Sequence, residues 1–341
     1  MKQIILTLAA VAASVTAVSG QDTGAYGRYY IDGLIYERTS EATVSCDGAF
    51  DDGVKNVVIP ETINAYGSVY TVTGISSGAF SYYRDLCSVT IPNSVTTIGA
   101  SAFTGCGGLE SVNISDLSAW CRIDFSDNVS NPLWFAGHLY LDGELITDLT
   151  IPDGITEIKA YAFTGCDGLA SVTIGNSVTT IGDYAFFYCD GLASVTIGNS
   201  VTTIGSYAFH AEYSDLKRID VLAPVPPSVA SDDVFYHSCY SEAELNVPIG
   251  SLEAYRAADV WKEFKNIQEK DFGGVDGVKN DAVSVTAKGG SIEITSADNA
   301  RVEVYNLSGQ LVYSGTETTV GGLARGIYLV RIAGQTFKVA L

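Results

Sequence analysis

The chain has 341 residues, a formal net charge of −20 and 47% apolar residues, with charged residues at 17% against roughly 25% in an average soluble domain. So acidic a chain, with only 19 Lys and Arg, cannot neutralise many phosphates, which argues against nucleic acid and anionic membranes as partners. The apolar content excludes global disorder, and the length predicts two domains or one long repeat array.

The first element is an export address. Lys2 precedes an uncharged stretch from Ile4 to Val18 that ends in the small residues Ala17, Ser19 and Gly20. This reads as a secretory signal peptide over residues 1–20. The run is too short, and too rich in Ala, Ser and Thr, to anchor the chain. No later stretch approaches ~20 apolar residues, so the expectation is a secreted or cell-surface protein without membrane insertion.

Residues 26–268 are then organised by repetition. The phrase GLASVTIGNSVTTIG occurs at 168–182 and again at 191–205, an offset of 23 residues. Related triads begin at Val57, Val89, Val112, Leu149, Ile219 and Leu245. Within Ser171-Val172-Thr173-Ile174, alternation places Val172 and Ile174 on one face and Ser171 and Thr173 on the other. Pro92, Pro152, Gly175 or Gly198 ends each strand. A second extended stretch buries Val178 and Ile181, and a short helical turn brings Phe186 and Cys189 to one face. One coil cannot cover its own apolar side, so coils must stack. The predicted fold is a repeat solenoid, with the SVTI strands in a single parallel sheet on one face and short helical turns and extended segments on the other.

These residues carry a resemblance. The wording SVTIPNSVTTIGASAFTGCGGL at 88–109 resembles the BspA-type leucine-rich repeats of Bacteroidota surface proteins. So do IDGLIYE and YTVTGISSGAF near the N-terminus, the insertion at 119–152, and the closing phrase LNVPIGSLEAYRAADVWKEFKNI at 245–267. The resemblance implies a leucine-rich-repeat-like solenoid with N- and C-terminal caps, in a secreted or cell-surface interaction protein that adheres to a host or matrix protein or glycan.

After the solenoid, residues 269–282 read as a Gly/Asp/Lys-rich linker. Residues 283–341 contain six strand-like runs separated by Gly289-Gly290, Ser308-Gly309 and Gly321-Gly322, which predicts a small β-sandwich. The phrases RVEVYNLSGQLVYSG and GIYLVRIAGQTFKVAL resemble type IX secretion sorting domains. An ordinary accessory β-domain is the other reading.

Chemistry is sparse. Seven Cys are spread along the chain. Cys106, Cys166 and Cys189 share one repeat position, so they stack, and Cys166 and Cys189 are candidates for a bridge. A buried free thiol at a core position is the alternative. No CxxC occurs and only three His are present, so no zinc site or other cofactor is expected. Gly74-Ile75-Ser76-Ser77-Gly78 satisfies the nucleophile-elbow pattern, but Ile75 and Phe80 align with Ile98 and Phe103 of the next unit, so it reads as a repeat turn. Asp124, Asp127 and Asn128 are oxygen-rich without EF-hand spacing and read as a solvated loop. No catalytic residue is identified, which leaves an extracellular hydrolase as a remote alternative and a structural spacer as a nearer one.

The candidate binding residues fall in two sets. Trp120, Arg122, Trp134, Phe135 and Tyr140 form the one aromatic and Arg cluster expected outside the consensus, and interface energy concentrates in such anchors. Core cover for the interrupted coil is their plainer role. Thr173 and Thr196 represent the outward hydroxyl ladder. Tyr161, Tyr184 and Tyr207 recur every 23 residues and predict a part-exposed aromatic column.

Overall fold

The computed structural model describes residues 27–213, 216–272, 283–288, 290–296, 301–306, 310–332 and 335–341. Residues 1–20, read above as a signal peptide, and most of residues 269–282, read as a linker, lie outside the described residues. The chain divides into two units, Met1–Glu144 and Leu145–Leu341.

In the first unit the N-terminal cap is a pair of antiparallel strands, Arg28–Ile31 and Leu34–Arg38, turned at Asp32 and Gly33 with φ of 51° and 82°. Thr43–Ala49 extends it, then pairs in parallel with Ser68–Ile75 and so joins the cap to the repeats. The repeat strands Asn56–Val58, Ser88–Thr90, Ser111–Ile114 and Leu139–Leu141 form a parallel ladder. Val57, Val89, Val112 and Leu139 point inward and are buried. A second, shorter ladder carries Ile75, Ile98 and Phe125 in register.

The second unit repeats this plan. Asp148–Thr150, Ser171–Ile174, Ser194–Ile197, Arg218–Val221, Glu244–Pro248 and Asn266–Lys270 are parallel throughout. Glu157–Ile158, Thr180–Ile181, Thr203–Ile204 and Ser228–Val229 form the companion ladder. Val172, Ile174, Val178, Ile181, Phe186 and Cys189 are all buried, while Thr173 is exposed. The strand faces therefore match the alternation in the sequence. Thr173→Ala should accordingly cost under about 0.5 kcal/mol in urea unfolding; a loss near that of a core truncation would mean that the outward face is covered.

Two features differ from expectation. The repeat strands do not form a single sheet: they hydrogen-bond in two ladders, one of five strands and one of six. The cause is local. Glu144–Leu145 follows the turn at Asp142-Gly143 and takes the edge of Leu139–Leu141, and Asp148–Thr150 is the edge strand of the six-stranded ladder. The other feature is the turn side. There, N–H groups alternate between bonds three residues back and bonds to the next coil: Ala162 donates to Lys159 O at 3.3 Å, whereas Phe163 donates to Ala185 O at 2.8 Å. Positive φ at Tyr161, Tyr184 and Tyr207 prevents a continuous helix there. All seven cysteines are free thiols. Cys189 Sγ donates to Phe163 O at 3.1 Å and Cys106 Sγ to Phe80 O at 3.0 Å, so these two thiols are paired with backbone carbonyls.

The C-terminal segment forms two antiparallel sheets. One joins Val283–Lys288, Ser291–Ser296 and Thr319–Val320; the other joins Val302–Asn306, Leu311–Gly315, Ile327–Ile332 and Gln335–Ala340. Val285, Ile292 and Ile294 from the first meet Val304, Val330 and Ile332 from the second in one apolar cluster, the signature of a sandwich. Thr319–Val320, at two residues, is too short to show alternation and escapes a reading of the sequence.

Candidate interaction surface

With every second strand residue facing out, each ladder presents two outward rows. In the first unit one row is Val58, Thr90, Asn113 and Tyr140, successive partners across the sheet. Val58 is 66% exposed, and the other three are part-exposed. In the second unit the corresponding row is Thr150, Thr173, Thr196, Asp220, Asn246 and Gln268. Thr173 and Thr196 are thus direct partners, as the 23-residue offset requires.

The row changes character at Asp220. Its carboxylate accepts from Asn246 Nδ2 at 2.8 Å and from Lys270 Nζ at 3.2 Å, with Arg218 Nε at 3.8 Å. Asp220 is 7% exposed and Asn246 only 1%. A carboxylate so withdrawn from water is held because three polar neighbours replace its hydration. One end of the face is closed by this cluster, and the hydroxyls of Thr150 and Thr173 remain open to solvent.

The insertion distributes its candidates unequally. Leu117–Trp120 is a single helical turn whose N-cap, Asp116, accepts from Ser118 N at 2.7 Å and Ala119 N at 3.2 Å. That turn drives Trp120 inward, 1% exposed and 5.3 Å from the Phe125 ring. Trp120 therefore belongs to the core and offers nothing to a partner. Arg122 is exposed and donates Nη1 to Ser118 O at 3.2 Å. Trp134 and Phe135 sit on the turn Leu133–Ala136, part-exposed, while Leu133 and Ala136 beside them are buried. Tyr140 occupies a repeat-strand position on the sheet face, so it joins the outward row. Asp127, weighed above as an oxygen ligand, accepts instead from Ser130 N at 2.6 Å and Ser101 N at 3.1 Å. The elbow-like segment is a repeat turn, with Ile75 paired to Ile98 and the Phe80 and Phe103 rings stacked at 5.3 Å.

The insertion is not the only aromatic cluster outside the consensus. Phe187, Tyr188, His210 and Tyr236 gather beside the Tyr161, Tyr184 and Tyr207 column on the turn side of the second unit. The signal was in the sequence: Ala-Phe-Thr-Gly-Cys at 162–166 becomes Ala-Phe-Phe-Tyr-Cys at 185–189. Asp220 and Asn246 were likewise visible as departures at the third strand position.

Parallel coils, an inward Val/Ile/Leu file and an outward polar face define a leucine-rich-repeat solenoid. More particularly, the chain belongs to the family described as BspA type leucine rich repeat region, whose model matches residues 53–126 and 139–256 in six copies. No curated protein matches the chain in sequence. Among solved structures it is similar to a leucine rich cell surface protein of Faecalibacterium prausnitzii, at 16% identity and TM-score 0.34, covering 72% of this chain and 96% of that one. It is also similar to a leucine-rich repeat protein of Bacteroides ovatus, at 22% identity and TM-score 0.34, covering 71% and 67%. A leucine-rich repeat protein of T. pallidum matches at 20% identity and TM-score 0.30, covering 70% and 90%.

Among the described residues, no helix is long and apolar enough to cross a membrane.

Proposed function

We propose that this is an exported, non-enzymatic interaction protein, held at the cell surface or secreted, which binds an extracellular protein or glycan through its solenoid over residues 26–268. The observation that carries this reading is the outward row in which Tyr140 continues Thr90 and Asn113. It puts an aromatic anchor next to the small polar groups of Thr90 and Asn113. The hydroxyl rows supply shape and repetition, whereas discrimination comes from departures such as Tyr140, Trp134, Phe135 and Arg122. In this reading residues 1–20 direct export, and the sandwich at 283–341 serves sorting or attachment.

The test is a glycan and matrix-protein array probed with the full mature chain. For a ligand so found, Tyr140→Ala or Trp134→Ala should weaken binding at least tenfold, with fold retention checked by thermal unfolding. Thr173→Ala and Thr196→Ala should change it less than threefold, and chelators should leave it intact. The opposite ranking would move the site to the hydroxyl ladder, and a folded chain that binds nothing on the array would favour a spacer.

A further inference from the structure

The turn side of the second unit carries a surface that the repeat does not require. Tyr161, Tyr184 and Tyr207 stack with centroids 5.3 and 5.0 Å apart and interplanar angles of 12° and 6°. Their φ values of 63°, 58° and 57° lie in the left-handed region that favours glycine. Phe187 meets this column edge-on, 5.1 Å from Tyr184 and 6.0 Å from Tyr207. Tyr188 lies 4.5 Å from Phe187, and His210 lies 5.2 Å from both Tyr207 and Tyr236. All seven rings are part-exposed.

Packing does not account for this surface. The core of these coils is filled by Ala185, Phe186 and Cys189, all buried. The coil before has Thr164 and Gly165 where this one has Phe187 and Tyr188, so the repeat can be built without aromatic rings at these two positions.

The rim of the surface is acidic. The Asp233 carboxylate, by hydrogen bonding and by its charge, raises the Tyr207 phenol above its ordinary value. Burial first, then the charges of Glu212 and Asp190, raise the Tyr188 phenol above its ordinary range. Asp183, in the turn that leads into Tyr184, is exposed.

We propose that this aromatic face of the second unit is a docking surface for an Arg- or Lys-bearing segment of a partner protein. Ring faces and edges accept the aliphatic stems and attract the cationic heads, and the carboxylate rim pairs with their charge. A phosphate-bearing ligand would be repelled by the same rim. The proposal rests on reading the solenoid as a binding scaffold, but it concerns a surface separate from Tyr140 and Trp134.

The experiment is fluorescence anisotropy with the full mature chain and a labelled ten-residue peptide of alternating Arg and Gly, alongside its Glu-Gly counterpart. The Arg peptide should bind, more weakly as salt rises, and the Glu peptide should not. The double variant Phe187→Thr with Tyr188→Gly installs the residues of the preceding coil and relieves a φ of 54° at position 188. It should therefore fold, and it should lose at least tenfold in affinity without any change in charge. Equal binding by the double variant would show that net charge alone attracts the peptide and would overturn the proposal. So would failure of the Arg peptide to bind, or binding of a neutral oligosaccharide that the double variant abolishes. An array ligand that depends on Tyr140 would leave the broader function standing in each of those cases.

Discussion

Replacing Phe186 by Ala should destabilise the second unit by about 3–5 kcal/mol, the range for deleting a packed aromatic ring. Phe186 is 1% exposed and lies between Phe163 and Phe209, both at 5.2 Å and within 5° of parallel. The file continues to Phe235 at 5.7 Å. Truncation therefore opens a hole bounded above and below by rings. Those rings cannot close on it, because their coils are tied by ladder bonds: Phe163 N donates to Ala185 O and Phe186 N to Ala208 O, each at 2.8 Å. Cavities that cannot collapse are the costly ones. Urea unfolding with an unchanged slope would measure the loss as a shift in midpoint. A loss below about 1 kcal/mol would mean that the coils slide together, and the stack would then be an ornament of the repeat and not its support.

The same file shows why so much of the fold is legible in the sequence. A 23-residue register fixes which side chains lie above one another, so Phe163, Phe186 and Phe209 had to stack once the coils did. Alternation then fixes the faces, because a slip of one residue would bury Thr173 and expose Val172. What was not legible depends on single departures. The end of the first ladder is decided by the two-residue strand Glu144–Leu145, too short to carry a pattern. Tyr140 stands among the insertion residues in the sequence, although Leu139-Tyr140-Leu141 followed by Asp142-Gly143 is itself a strand-and-turn signal. The aromatic face is legible only in part: the Tyr161, Tyr184 and Tyr207 column follows from the register, whereas Phe187 and Tyr188 show only as a departure inside a core motif, which does not reveal that their rings stay part-exposed. Positive φ at Tyr161, Tyr184 and Tyr207 had no sequence signal at all, since glycine is the residue normally found there. Stacking along the column is what offsets that strain.

Stability should fall steeply as pH rises above 9, with the buried thiols as the main cause. Burial raises Cys46 and Cys121 from 9.0 to about 12, with local charges adding smaller effects, and it raises Cys106 and Cys239 to about 11. Cys189 is held well above its ordinary value by burial first and then by the neighbouring Cys166. Burial also raises the phenols of Tyr36, Tyr240 and Tyr255. The sign follows from proton counting: between the unfolded and folded pKa values the unfolded chain has lost protons that the folded chain keeps, so each rise in pH favours unfolding. The contribution of Cys46, Cys106, Cys121 and Cys239 is fully present below pH 9 and is lost as pH climbs toward 11 to 12, at about 1.4 kcal/mol per unit for each group. These four thiols acting together over one or two units are comparable with the whole stability of an ordinary domain, about 5–15 kcal/mol, and Cys189 acts in the same direction. Urea midpoints should therefore be level from pH 7 to 8.5 and drop sharply by pH 10.5. Cys106→Ala, which removes one titrating group from a small-residue position, should make the drop shallower while costing less at pH 7 than Phe186→Ala. A midpoint unchanged to pH 11 would mean that the thiols ionise in place, and the dry interior on which the stacked coils depend would have to be wet.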